Sequence, residues 1–163
     1  MKLKLVTITI ALVGLFTLAA FTTAPKTSQY KCMIQLKNYE GEGAYVVVSL
    51  LDAKGTYVET LNVLGDDPEW YHDLTKWWGY FEKKNSKIDA ITGATISGGE
   101  RAIKVIKIDD DKLNKGYKIR FETAVEDQKY VADDVTFELT SESVNSKVDG
   151  TGYIRYIRML PQK

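Results

Sequence analysis

Ala44-Tyr45-Val46-Val47-Val48-Ser49-Leu50-Leu51 decides how the rest of this chain folds. The run is β-branched and apolar on both alternating faces, which reads as a central strand covered on both sides. Upstream, Asn38 to Gly43 (NYEGEG) is a turn with two glycines. Before it, Tyr30, Cys32, Ile34 and Leu36 alternate with Lys31, Gln35 and Lys37, the pattern of a half-buried strand. Downstream, Asp52-Ala53-Lys54-Gly55 is a hairpin loop in which Gly55 can take a positive φ, and Thr56 to Leu64 is the returning strand.

The pattern then breaks. Asp67 can cap a helix whose first position, Pro68, has no N–H to leave unpaired. Trp70, Leu74, Trp77, Trp78 and Phe81 recur at spacings that give one apolar helix face. Strand periodicity returns at Ala102 to Ile108, Tyr117 to Val125, Val135 to Thr140 and Tyr153 to Leu160. The connections are turn-rich: Asp109-Asp110-Asp111, Asn114-Lys115-Gly116, Asp133-Asp134 and Asp149-Gly150-Thr151-Gly152. Seven short strands with one helical insertion predict a mainly β protein, a two-sheet sandwich of immunoglobulin- or fibronectin-like type.

The N-terminus reads as a targeting segment. Lys2 and Lys4 precede the apolar run Leu5 to Phe16, and small residues follow at Ala19, Ala20, Thr22, Thr23 and Ala24. We therefore divide the chain into a signal peptide over residues 1–20, a short linker over 21–29 and one domain over 30–163. Leu5 to Phe21 is also 17 residues long, near the lower limit for a retained membrane anchor. Either way the domain is expected to be periplasmic or otherwise extracytosolic. Its lone cysteine, Cys32, excludes an intramolecular disulfide and alternates with strand residues as a buried thiol. Without Lys2 and Lys4 there are 20 basic residues against 22 acidic ones, a balance that argues against a nucleic-acid partner.

The chemistry-bearing stretch is Asp89-Ala90-Ile91-Thr92-Gly93-Ala94-Thr95, followed by Ile96-Ser97-Gly98-Gly99. It resembles the recognition motif of extracytosolic proteins that receive FMN covalently from a flavin transferase. Carried over by position, the resemblance makes Thr95 the acceptor hydroxyl, with Asp89, Thr92, Gly93 and Ala94 as its recognition context. Such an acceptor needs an exposed backbone with little bulk beside it, which Gly93 and Ala94 supply. The base and the metal that neutralises the diphosphate would belong to the transferase. Asp89 suits recognition or turn capping, and Thr92 a hydrogen bond to the loop or the phosphate. Asp, Thr and Gly are also ordinary turn residues, so the same run can be a structural turn.

Further matches extend the resemblance. Ala44 to Val48, Gly55, Val58-Glu59-Thr60-Leu61, Trp70, Leu74, Trp77-Trp78, the DAITGAT run, and Gly116-Tyr117 with Glu122 and Glu126 follow one another in the order seen in family 2271 of predicted periplasmic domains of unknown function. Where members of that family often carry a proline and a tryptophan after the Thr-Gly-Ala-Thr run, this chain has Ser97-Gly98-Gly99 and Ile106 to Ile108. The family is often found with flavin transferases and membrane flavin or haem reductase modules. The resemblance thus implies a secreted electron carrier with FMN tethered to Thr95, and a transferase and a membrane-bound reductase or other redox partner as its partners. The alternative is a non-redox extracytosolic immunoglobulin-like binding or accessory module.

No catalytic constellation or metal site accompanies the motif in the sequence. His72 is the only histidine and has no nucleophile-elbow motif to work with. One His and one Cys do not make a zinc site. Asp109-Asp110-Asp111 lacks the glycine and the spaced glutamate of a calcium loop. Of the aromatic residues around 70–81, which more often pack on a sheet than stack on a cofactor, Trp78 and Tyr80 are the best candidates for exposure beside a flavin.

Overall fold

The computed structural model describes residues 26–84, 87–88 and 91–162. The signal segment of residues 1–20 and Asp89 lie outside them, as does most of the 21–29 linker. Strands β1 (Thr27–Leu36), β2 (Tyr45–Leu51) and β3 (Tyr57–Leu64) come first. A 3₁₀ turn (Pro68–Asp73) and helix α1 (Thr75–Lys84) follow. The remaining strands are β4 (Thr92–Gly93), β5 (Arg101–Asp109), β6 (Lys118–Ala124), β7 (Val131–Glu138), β8 (Lys147–Asp149) and β9 (Ile154–Pro161). They form two sheets, ordered β5-β1-β9-β8 and β4-β3-β2-β6-β7. This is the expected β-sandwich with a helical insertion.

β2 lies at the centre of the five-stranded sheet, and its two faces go to two different cores. Val46, Val48 and Leu50 meet Ile34, Leu36, Ile106, Phe121 and Ile157 between the sheets. Val47 belongs to a second cluster on the outer face, with Val63, Tyr71, Leu74, Trp77 and Ala124. That second burial is why the run is apolar at every position but one. On β1, Tyr30, Cys32, Ile34 and Leu36 are all buried, as alternation predicts. Burial pushes the Cys32 thiol up to about 12, which leaves it unreactive.

Three local expectations are corrected. The helix expected from Pro68 is two pieces, broken at Leu74 (φ −82°, ψ 60°). Asp67 still caps the first piece, accepting from Glu69 N. A 3₁₀ turn brings residues three apart onto one line. Tyr71, Leu74 and Trp77 therefore face inward, while Trp70 is only half-buried. Asp133-Asp134, read as a turn, lies inside β7. Two very short strands, β4 and β8, bring the number among the described residues to nine rather than seven.

Asp134 shows why an acid can sit in that strand. It is wholly buried, and its Oδ2 accepts from Thr123 Oγ1 (2.7 Å) and Ile154 N (2.9 Å) while Oδ1 accepts from Gly152 N (2.7 Å). The carboxyl thus ties β6 and β7 of one sheet to the turn that enters β9 of the other. Gly152 is required there, since a Cβ would stand 2.8 Å from Asp134 Oδ2. Asp134→Ala strands two backbone N–H groups and a hydroxyl. We expect a loss of about 3 kcal/mol or more in urea unfolding. Asp134→Asn, which keeps part of the set, should lose less.

Candidate functional site

The Thr-Gly-Ala-Thr loop is fastened at both ends. Thr92 and Gly93 form β4, parallel to Val63 and Leu64 at the edge of the five-stranded sheet. Gly65 N donates to Gly93 O. Three residues on, Ile96 makes a two-way bridge with Ala44 at the start of β2, its N donating to Ala44 O (3.1 Å) and its O accepting from Ala44 N (2.7 Å). Between the anchors, Ala94 is exposed, and Gly93 and Thr95 are half-buried. The structure therefore brings Thr92, Gly93, Ala94 and Thr95 together on a short bridge spanning the ends of β3 and β2.

Two glycines leave room for it. A Cβ on Gly43 would fall 2.3 Å from Thr95 Oγ1, so the Thr95 side chain rests on bare backbone. A Cβ on Gly93 would fall 2.5 Å from Lys104 Nζ, which places that ammonium directly against the loop. None of the described residues hydrogen-bonds the Thr95 hydroxyl. Beyond the loop, Gly98 lies against Tyr39, where a Cβ would meet the carbonyl oxygen at 2.4 Å, and Gly99 takes φ +78°. The Tyr39 hydroxyl lies 2.9 Å from Ile96 O and 3.0 Å from Glu42 O, between the two segments it joins. Larger residues at Gly98 and Gly99 would not fit this packing.

Lys104 and Gly43 are the members of the site that motif reading missed. Gly43 carries no local signal beyond its place in a turn. Lys104 does carry one: it occupies the same face of β5 as Ala102, Ile106 and Ile108, a charge at a core-facing position. The structure resolves this by setting Lys104 on the outermost strand of its sheet, from which it reaches across to the outermost strand of the other.

Trp78 is half-buried in the outer cluster, its ring 6.4 Å from Trp77 and 5.9 Å from Phe81. It does not line the groove beside the loop. Tyr80 does: it lies on a groove of about 710 Å³ between β3, the end of α1 and β5. His72 is exposed and pairs with Asp73 at 3.3 Å. Among the described residues no group of three or more His, Cys, Asp or Glu is placed to hold a metal.

Glu122, one of the acids matched in the family resemblance, is wholly buried on the outer face of β6. Its two oxygens accept from the hydroxyls of Tyr57 and Tyr130. Arg120 Nη1 reaches Tyr57 at 3.4 Å, and Arg120 Nε pairs with Asp133 at 3.0 Å, off the hydrogen-bonding direction. Burial raises the Glu122 carboxyl above its ordinary 4.5, outweighing the tyrosine donors and Arg120, and burial likewise raises both tyrosines. A raised folded-state value means the stability contribution is complete below the unfolded value and is lost as pH rises through the folded one. Glu122→Gln should therefore flatten the decline of unfolding free energy as pH rises above 4.5, measured by urea titration at a series of pH values. Gly43→Ala, which meets Thr95, should cost about 1–3 kcal/mol in the same assay.

No helix among the described residues is long and apolar enough to cross a membrane. No curated protein and no solved structure matches the chain. One protein-family profile does, over residues 27–156, a span containing every strand pairing above except the last residues of β9. The chain accordingly belongs to the DUF2271 family of predicted periplasmic proteins, and is an extracytosolic β-sandwich of that family.

Proposed function

We propose that this protein is an extracytosolic flavin carrier, with FMN joined through a phosphodiester to Thr95. The observation that carries the reading is the loop itself: an acceptor threonine on a fixed bridge, flanked by an exposed alanine and a Cβ-free glycine, beside an ammonium. In the transfer, Thr95 Oγ1 attacks the riboflavin-side phosphorus of FAD. The new Oγ1–P bond replaces the P–O bond to AMP, which leaves with its electron pair, and the hydroxyl proton passes to a base of the transferase. Lys104 suits the negative phosphodiester so formed, while Gly93 leaves the phosphate room. Asp89 and Thr92 serve recognition of the loop. Once attached, FMN supplies reversible electron transfer, and this chain supplies the tether between a membrane reductase and an extracytosolic acceptor.

The competing reading, a binding module whose Thr-Gly-Ala-Thr turn is structural, calls for a Thr95 hydroxyl that is buried and bonded to backbone. The half-buried side chain, with no hydrogen bond to a described residue, favours the carrier. Co-expression with a flavin transferase should give an FMN-sized mass increase and a fluorescent band that survives denaturation. Thr95→Ala should lose both with little change in stability. An unmodified wild-type mass would count decisively against the carrier.

A further inference from the structure

The groove beside the loop contains a polar group that the fold leaves unanswered. Asn62 on β3 is 6 % exposed and lines this groove, and its Oδ1 is enclosed with no hydrogen-bond partner among the described residues. A buried acceptor without a donor costs about 1–3 kcal/mol, so such an atom usually has a partner. Ser49 Oγ also has no partner among the described residues, but it does not line this groove. Of the two, Asn62 is the one placed to meet a ligand there.

The rest of the groove describes that ligand. Leu61, Ile91 and Val105 give it apolar walls, and Tyr80 gives it an aromatic one. The Tyr80 ring is held in place by stacking on Tyr57 (5.1 Å, 15°) and by donating its hydroxyl to Val58 O at 2.7 Å. Four lysines and two acids line the groove, leaving it cationic. Its volume, about 710 Å³, is that of a small-molecule site. The ligand is thus a flat, largely apolar heterocycle with an N–H edge, able to carry negative charge.

The groove also lies within reach of Thr95. Val63, the residue after Asn62, pairs with Thr92, and β3 and β4 run parallel. Asn62 is therefore beside Ile91, and the four residues from there to Thr95 span at most about 13 Å at about 3.3 Å per residue, less because the loop turns toward Ala44. A ribityl phosphate together with the width of a fused ring system covers that distance. β5 follows the same path, with Lys104 at Gly93 and Lys107 on the groove.

Resting on the carrier reading, we propose that this groove docks the isoalloxazine ring of FMN held on Thr95, with Asn62 pairing to the ring's N–H and carbonyl edge. A primary amide presents donor and acceptor side by side, and the ring's N–H is flanked by a carbonyl on each side. The pairing therefore works whichever way the amide is turned. The groove lysines favour the reduced ring, which gains negative charge, and so raise its reduction potential.

The test uses the full chain co-expressed with a flavin transferase. Intact mass reports attachment, iodide quenching of flavin fluorescence reports docking, and redox titration reports the potential. Wild type should be modified and protected from iodide. Asn62→Leu should be modified to the same extent yet lose the protection, while its flavin-free form is as stable as wild type or more so. Lys107→Ala, a change at an exposed position, should keep the adduct and lower the potential. An adduct equally open to iodide in wild type and Asn62→Leu overturns the docking and leaves the carrier standing. A potential unmoved by Lys107→Ala overturns the cationic role of the groove. No adduct on wild type overturns the carrier and the docked ring together.

Discussion

The structure depends on one constraint: β2 must be buried on both of its faces. The inner face is met by the second sheet, as in any sandwich. The outer face, around Val47, is left to the segment between β3 and β4, which covers it with Tyr71, Leu74 and Trp77. Covering a sheet face of this size with three large side chains contributes several kcal/mol, on the order of 2 kcal/mol for each. Trp77 also satisfies its own indole, donating to Thr60 Oγ1 at 2.9 Å. Having crossed that face, the chain comes back along the edge of β3, where Thr92 and Gly93 pair with Val63 and Leu64. The Thr-Gly-Ala-Thr loop is therefore placed by the same burial that makes β2 apolar on both faces.

Buried polar groups divide into those the fold answers and those it does not. Asp134 and Glu122 are both wholly enclosed and both accept from several donors. Each contributes register and connection rather than reactivity: one links the two sheets, the other gathers Tyr57 and Tyr130 beneath the helical insertion. Asn62 is different, because it lines a groove and no described residue supplies its enclosed Oδ1 with a donor. The contrast matters for function. A satisfied buried carboxyl has no need of a ligand, whereas an unsatisfied amide is stabilised by one.

On the proposed carrier reading, the loop's chemistry is that of a substrate. No described residue hydrogen-bonds the Thr95 hydroxyl, and on that reading the nearby cation, Lys104, would favour the product of phosphoryl transfer. Holding such a loop at two points keeps its shape constant, as recognition by a transferase would require. Gly43, Gly93 and Gly98 let the backbones approach closely enough for that shape to form.

Local pattern alone was enough for the seven longer strands, the central place of β2, the Asp67 cap, the buried Cys32 and the location of the motif that ends at Thr95. Each rests on alternation, on capping chemistry or on the order of neighbouring residues. The break at Leu74 was not legible, because 3₁₀ and α turns differ by only about 20° per residue and share the i to i+3 apolar spacing. Nor was Asp134 in β7, since an acid pair reads as a turn until its donors, 11 to 20 residues away, are known. β4 is two residues long and exists only because β3 lies beside it. Lys104 against Gly93, Gly43 beneath Thr95, and the groove that Asn62 lines all join residues far apart in the chain. The sequence determined which residues could carry the chemistry, because residue type and local spacing are written in it. Only the tertiary structure decided which of them meet, because those meetings are set by the packing of two sheets and the helix that covers one of them.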